Sequence, residues 1–185
     1  MSFDPSTQQR LLDLARNSIG QYLRTGNYLN LDFDEWPVQC LQPAATFVTL
    51  HLQGRLRGCI GSVEAEQALV ENIRNNAVNA AFNDPRFPPV SAAEFPQLHI
   101  SLSVLAEPKP IGFFDCAELA AKLRPGVDGL ILQAQNRRAL FLPQVWESLP
   151  EPMEFIRQLK RKAQLPDAIE PPLLQAEVFT VDHIA

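Results

Sequence analysis

The sequence predicts an α+β fold, mainly antiparallel sheet with flanking helices. Three observations carry that expectation. Apolar residues recur at helical spacing in the first twenty-five or so positions and again near 66–82. Two pairs of β-rich runs are each joined by a short turn, at Gln53-Gly54 and after Gln133. Helices and hairpins then mix without the regular strand–helix–strand alternation of a parallel sheet.

Element by element, Ser6-x-x-Gln9 can form a capping box. Leu11, Leu12, Ala15, Ile19, Tyr22 and Leu23 mark one buried face, and Gly26 can end the helix. Residues 27–45 read as irregular. Thr46 to Leu52 and Arg55 to Ile60 form a hairpin. A second helix runs from about Glu66 to Phe82, with Leu69, Ile73, Ala77, Ala80 and Ala81 as its stripe, until repeated prolines stop it after Asp84. A strand at Leu98–Leu105 follows, then a short helix around Cys116–Leu123. A second hairpin pairs Gly129–Gln133 with Arg138–Leu142. The last elements are a helix over about Met153–Ala163 and a strand over roughly Ala176–Val181.

Composition narrows the function classes. The 185 residues are 46% hydrophobic and 20% charged, ordinary for a folded chain with one good core or two small lobes. A formal net charge of -5 disfavours nucleic acid as a partner. Arg157, Lys160, Arg161 and Lys162 cluster locally and are read first as a solvated helix face. No cationic, apolar leader and no run of about 20 apolar residues is present, so the reading is a cytoplasmic protein without membrane contact. Cys40, Cys59 and Cys116 are odd in number and widely spaced, which suits neither a disulfide framework nor a zinc pattern. His51, His99 and His183 are scattered, so no metal is expected, and no cofactor can be named.

Several segments, taken together and in order, resemble the AMMECR domain family, which includes AmmeMemoRadiSam system protein A. They are Phe47-Val48-Thr49-Leu50, Gly54-Arg55-Leu56-Arg57-Gly58-Cys59-Ile60-Gly61, Ala80-Ala81-Phe82, Asp84-Pro85-Arg86-Phe87-Pro88-Pro89, Asp128-Gly129-Leu130, Phe141-Leu142-Pro143-Gln144-Val145-Trp146 and Lys162-Ala163. The resemblance implies one AMMECR domain over residues 1–185, built as two unequal lobes with the Cys59 segment at or near a cleft between them. It also implies a context, since the system name joins such a protein to a Memo-like protein and a radical-SAM enzyme. It implies no reaction. Two departures stand out. His99, Ser101 and Ser103 occupy a strand where many relatives carry an acidic residue, which weakens any borrowed carboxylate mechanism. Gln164 follows Lys162-Ala163 where a glycine is usual.

Among the residues themselves, Cys59 is the candidate catalytic group. An unbroken hairpin from Gln53-Gly54 pairs Leu52 with Arg55, Leu50 with Arg57 and Val48 with Cys59. Arg57 and Cys59 would then share a face, with His51 on the other. Arg57 would favour a thiolate, as would the start of a helix near Glu66. Gly58 and Gly61 would allow a ligand or another backbone to come close. That suits a nucleophile or a group-carrying thiol. The same segment also reads as a tight packing site around a small buried thiol. Asp84 and Arg86 are the next candidates: with Arg57 they would grip a small anionic metabolite, or else serve a rigid helix stop. Asn72, Asn76, Asn79 and Asn83 share one helical face, either a solvated one or the lining of a polar cleft. Trp146 belongs to the core or walls a pocket. Two functions therefore compete: an enzyme or substrate-handling component built on Cys59, and a non-catalytic interaction partner in which Cys59 is structural.

Overall fold

The structure is a computed structural model that describes residues 3–185. The chain divides into two compact units, Met1–Leu105 with Asp182–Ala185, and Ala106–Val181.

The first unit opens with α1, Pro5–Thr25. The expected capping box is replaced by an Asp4–Pro5 start. The Asp4 carboxylate accepts from the Ser6 and Thr7 N–H groups, and Pro5 occupies the first helical turn, where its missing donor costs nothing. At the other end Gly26 takes a left-handed φ of 71° and closes the helix, as the sequence predicts. Two short 3-10 turns, Phe33–Glu35 and Val38–Leu41, occupy the irregular stretch.

Strands β1 (Thr46–Leu52) and β2 (Arg55–Gly61) form the expected hairpin. Both turn residues have positive φ, 52° at Gln53 and 76° at Gly54, which matches the right-handed twist of the strands. Helix α2 covers Leu69–Phe82, starting about one turn later than the sequence suggests. The preceding residues are drawn instead into main-chain bonds with the 42–44 segment: Ala44 donates to Gln67, and Leu69 donates to Gln42. Strand β3 is Leu98–Leu105. With β8, Val181–Ile184, it completes a sheet in the order β2-β1-β3-β8. Val48, Leu50 and Leu102 on the sheet pack with Leu11, Ile19, Leu69 and Ile73 of the two helices to make the core.

The second unit has its own sheet, in the order β4-β7-β5-β6, built from Lys109–Pro110, Gly129–Ala134, Arg137–Phe141 and Gln175–Phe179 as β4, β5, β6 and β7. Helices α3 (Cys116–Lys122) and α4 (Pro152–Lys162) cover one face of it. The single strand expected at Ala176–Val181 is thus two strands in two different sheets, parted at Thr180. Trp146 is core: its ring stacks on Phe155 with centroids 3.8 Å apart, and its Nε1 donates to the Asp128 carbonyl at 2.7 Å. Among the described residues no helix is long and apolar enough to cross a membrane.

Candidate functional site

The site sits on β2, the edge strand of the first sheet. Its register differs from the expected one. Leu52 pairs with Arg55 and His51 with Leu56, but then Leu50 pairs with Gly58 and Thr49 with Cys59. Arg57 has no partner; it is the extra residue of a β-bulge. One residue of slip reverses the faces of everything beyond it. Cys59 therefore shares the face of Thr49 and His51, and the expectation that His51 lies opposite is overturned. The same face carries His99, Ser101 and Ser103 of β3, which pair with His51, Thr49 and Phe47.

Cys59 is half-buried, whereas Cys40 and Cys116 are buried. Its Sγ lies 3.3 Å from the Thr49 Oγ1, a hydrogen bond in which either can donate. The expected neighbour Arg57 is engaged elsewhere. Its Nε and NH2 reach the two Glu94 carboxylate oxygens at 2.8 and 3.2 Å, and NH2 also donates to the Pro89 carbonyl at 3.3 Å.

The residues that hold Cys59 are Asp84 and Arg86. Asp84, only 3% exposed, accepts the Cys59 N–H at 2.9 Å, and Arg86 NH2 donates to the Cys59 carbonyl at 3.1 Å. Arg86 closes the arrangement by donating through Nε and NH2 to the two Asp84 oxygens at 3.0 and 2.7 Å. The Asp84–Pro85–Arg86 turn thus stands in for a neighbouring strand at one residue of an exposed sheet edge. Arg86 pulls the Asp84 carboxyl well below the usual range, with the Cys59 and Arg86 N–H groups adding to the effect. The Arg86 guanidinium is raised mainly by its bond to Asp84. Arg86, and not Arg57, is the cation bonded to Cys59, through its carbonyl. Its side chain is 53% exposed and its NH1 takes no part in these bonds, while Arg57 is buried.

Both glycines admit protein neighbours. A Cβ on Gly58 would stand 2.1 Å from the Ala80 carbonyl oxygen of α2, and one on Gly61 would stand 2.3 Å from the Phe47 ring. Of the asparagine stripe, Asn72 and Asn76 are buried. Asn72 Oδ1 accepts from the Thr46 hydroxyl at 2.6 Å and from Asn76 Nδ2 at 2.8 Å; Asn76 also donates to the Thr46 carbonyl at 3.1 Å. They fasten α2 to the start of β1, while Asn83 donates to Asn79 Oδ1 at the surface. Of the basic cluster of α4, Arg157, Arg161 and Lys162 are exposed, as expected of a solvated face, and Lys160 is buried. Lys160 donates to the Asp167 and Ile169 carbonyls at 2.9 and 2.7 Å, and Lys162 to the Leu140 carbonyl at 3.0 Å. Among the described residues no group of three or more His, Cys, Asp or Glu side chains is placed to hold a metal ion.

Sequence reasoning did not single out Thr49 and Glu94. Thr49 comes beside Cys59 only through the bulge. Glu94 carried a readable signal, Ser91-x-x-Glu94, the spacing of a reciprocal cap. Its carboxylate accepts the Ser91 N–H at 2.8 Å and hydroxyl at 2.9 Å.

Comparison with known proteins places this site in context. The AMMECR1 family profile matches residues 12–184. A protein of Methanothermobacter thermautotrophicus is 37% identical over 183 residues, covering 93% of each chain. Protein MJ0810 of Methanocaldococcus jannaschii is 34% identical over 85% of this chain and 83% of its own. The crystal structure of uncharacterized protein PH0010 from Pyrococcus horikoshii superposes with a TM-score of 0.87 at 32% identity, covering 98% of this chain and 92% of that one.

Proposed function

This chain belongs to the AMMECR1 family, and within that family we propose that it is an enzyme or substrate-handling component in which Cys59 is the reacting thiol. The observation that carries the reading is the contrast among its cysteines. Burial pushes the Cys40 and Cys116 thiols up, which keeps them protonated and inert. Cys59 is half-buried, and both polar groups of its peptide are held by Asp84 and Arg86, so its sulfur has a fixed origin. Rigid placement of a nucleophile is useful to chemistry and costs stability that a packing residue need not spend.

In this reading the Thr49 hydroxyl is the hydrogen-bond partner of the Cys59 sulfur, and Arg86 is fastened to the carbonyl of the same residue. His51 lies on the same face of β1, two residues from Thr49. The substrate is a small anionic metabolite, with the exposed part of Arg86 as its first contact; Arg57 acts on the scaffold instead. The protein works in the cytoplasm, with a Memo-like protein and a radical-SAM enzyme as its partners. One feature favours the competing reading of a non-catalytic interaction partner: Gly58 and Gly61 are both taken up by packing against Ala80 and Phe47.

Competitive alkylation with iodoacetamide near neutral pH, mapped by peptide mass spectrometry, separates the two. The reactive-thiol reading expects Cys59 to label first, and Cys40 and Cys116 only on unfolding. Equal labelling of all three, or labelling of Cys59 only in denaturant, would leave the interaction-partner reading in possession.

A further inference from the structure

We infer that Arg57 and Glu94 are positioning residues for the Cys59 thiol, because their ion pair holds the bulge that turns Cys59 onto the face of Thr49. The functional weight of this inference rests on the reactive-thiol reading; its register content rests on geometry alone.

Counted without interruption from the Gln53-Gly54 turn, Cys59 falls opposite Val48, whose side chain is fully buried in the core beneath the sheet. The thiol would then face α2. One extra residue between Leu56 and Gly58 moves Cys59 to Thr49 and Gly58 to Leu50. Gly58 is the residue that tolerates that inner position, since a Cβ there meets the Ala80 carbonyl.

The extra residue is Arg57, and its side chain is anchored by one short segment. Glu94 takes two of its donors, the Pro89 carbonyl shares one of them, and the Phe87 ring centroid lies 6.0 Å from the guanidinium carbon. Glu94 is fixed in turn by Ser91. Among the described residues the Arg57 Nη1 is buried without a hydrogen-bond partner, so this arginine is an expensive way to fill the space. An apolar residue would fill it at lower cost, but it could not tie the bulge to Glu94. Downstream, the Cys59 N–H and C=O point to Asp84 and Arg86, away from β1. Thr49–Cys59 is therefore a non-hydrogen-bonded pair, the closer of the two antiparallel pair types, with Cα atoms typically about 4.5 Å apart. That geometry suits a cross-strand disulfide.

The test reads register and reactivity separately. In a Thr49→Cys background, mild oxidation with oxidised glutathione reports the pairing through a disulfide to Cys59. In the parent, iodoacetamide reports the reactivity of Cys59. Glu94→Ala should cut the disulfide yield several-fold and slow Cys59 alkylation by roughly tenfold. Deleting Arg57 should restore both, because a strand shorter by one residue reaches the Thr49–Cys59 pairing in an unbroken ladder. In that deletion Glu94→Ala should change nothing. Should Glu94→Ala alone fail to fold, Glu94→Gln takes its place: cross-linking lost in it and restored by the deletion supports the inference, and cross-linking equal to the parent overturns it. Glu94→Ala cross-linking as well as its parent overturns it too. A disulfide that depends on Glu94, with a Cys59 that alkylates no faster than Cys40 and Cys116, keeps the register inference and removes only the reactive-thiol reading.

Discussion

Gly58→Ala tests how tightly the site is set against α2. An added Cβ would lie 2.1 Å from the Ala80 carbonyl oxygen, 3.1 Å from its carbonyl carbon and 3.6 Å from Leu50 Cδ1. Carbon and oxygen ordinarily approach no closer than about 3.3 Å, so strand and helix must part by roughly 1 Å. The obstacle is helix backbone, which cannot rotate away as a side chain can. Moving it also disturbs Leu69, Ile73 and Ala77, all fully buried on the same helix. Overpacking of this kind costs about 1–3 kcal/mol, and rigid backbone places it toward the upper end. For a chain of this length that corresponds to a fall in Tm of roughly 5–10 °C. Thermal unfolding followed by circular dichroism is the assay, with Gly112→Ala as control, since a Cβ at Gly112 meets nothing within 4 Å. A Gly58→Ala protein melting together with its parent and the control would refute the close approach, and with it the account of why a glycine precedes Cys59.

Two further outcomes follow from the same neighbourhood. The Arg57 side chain and the Ser91 N–H lower the Glu94 carboxyl to about 2 from its usual 4.5, and Asp84 is lowered in the same sense by Arg86. A carboxyl lowered in the folded state contributes stability fully above its unfolded value and loses it as pH falls through the folded one. Tm should therefore drop between about pH 4.5 and pH 2, less steeply in Glu94→Gln than in the parent; identical slopes would remove Glu94 from the account. Asn76→Ala removes one donor each from the Thr46 carbonyl and Asn72 Oδ1, which keep the Ser62 N–H and the Thr46 hydroxyl, at a cost of about 0.5–1.5 kcal/mol per bond read as a lower urea midpoint. An unchanged midpoint would mean that the asparagine network is not what ties α2 to β1.

The parts legible in the sequence are those governed by short-range rules. The Gln53-Gly54 turn, the Gly26 helix end, the span of β3 and the proline stop after α2 depend on a few adjacent residues and occur as expected. Cys59 was likewise marked by its own neighbours, because the close approach at Gly58 demands a glycine wherever the thiol ends up pointing. The direction it does point was not legible. Alternation in Arg55–Gly61 fits either register, and the choice is made by Glu94, which is thirty-seven positions from Arg57 along the chain. Asp84, Arg86 and Arg57 looked alike as free anion grips, since nothing local says that a guanidinium already has a carboxylate. Asn72 and Asn76 looked solvated for the same reason: their partners Thr46 and Ser62 are reached only when the helix lies on the hairpin. The sequence determined which backbone positions are special and where the elements run. Tertiary structure decided which polar groups satisfy one another, because burial makes every unpaired donor costly and the partner that removes that cost can lie anywhere in the chain.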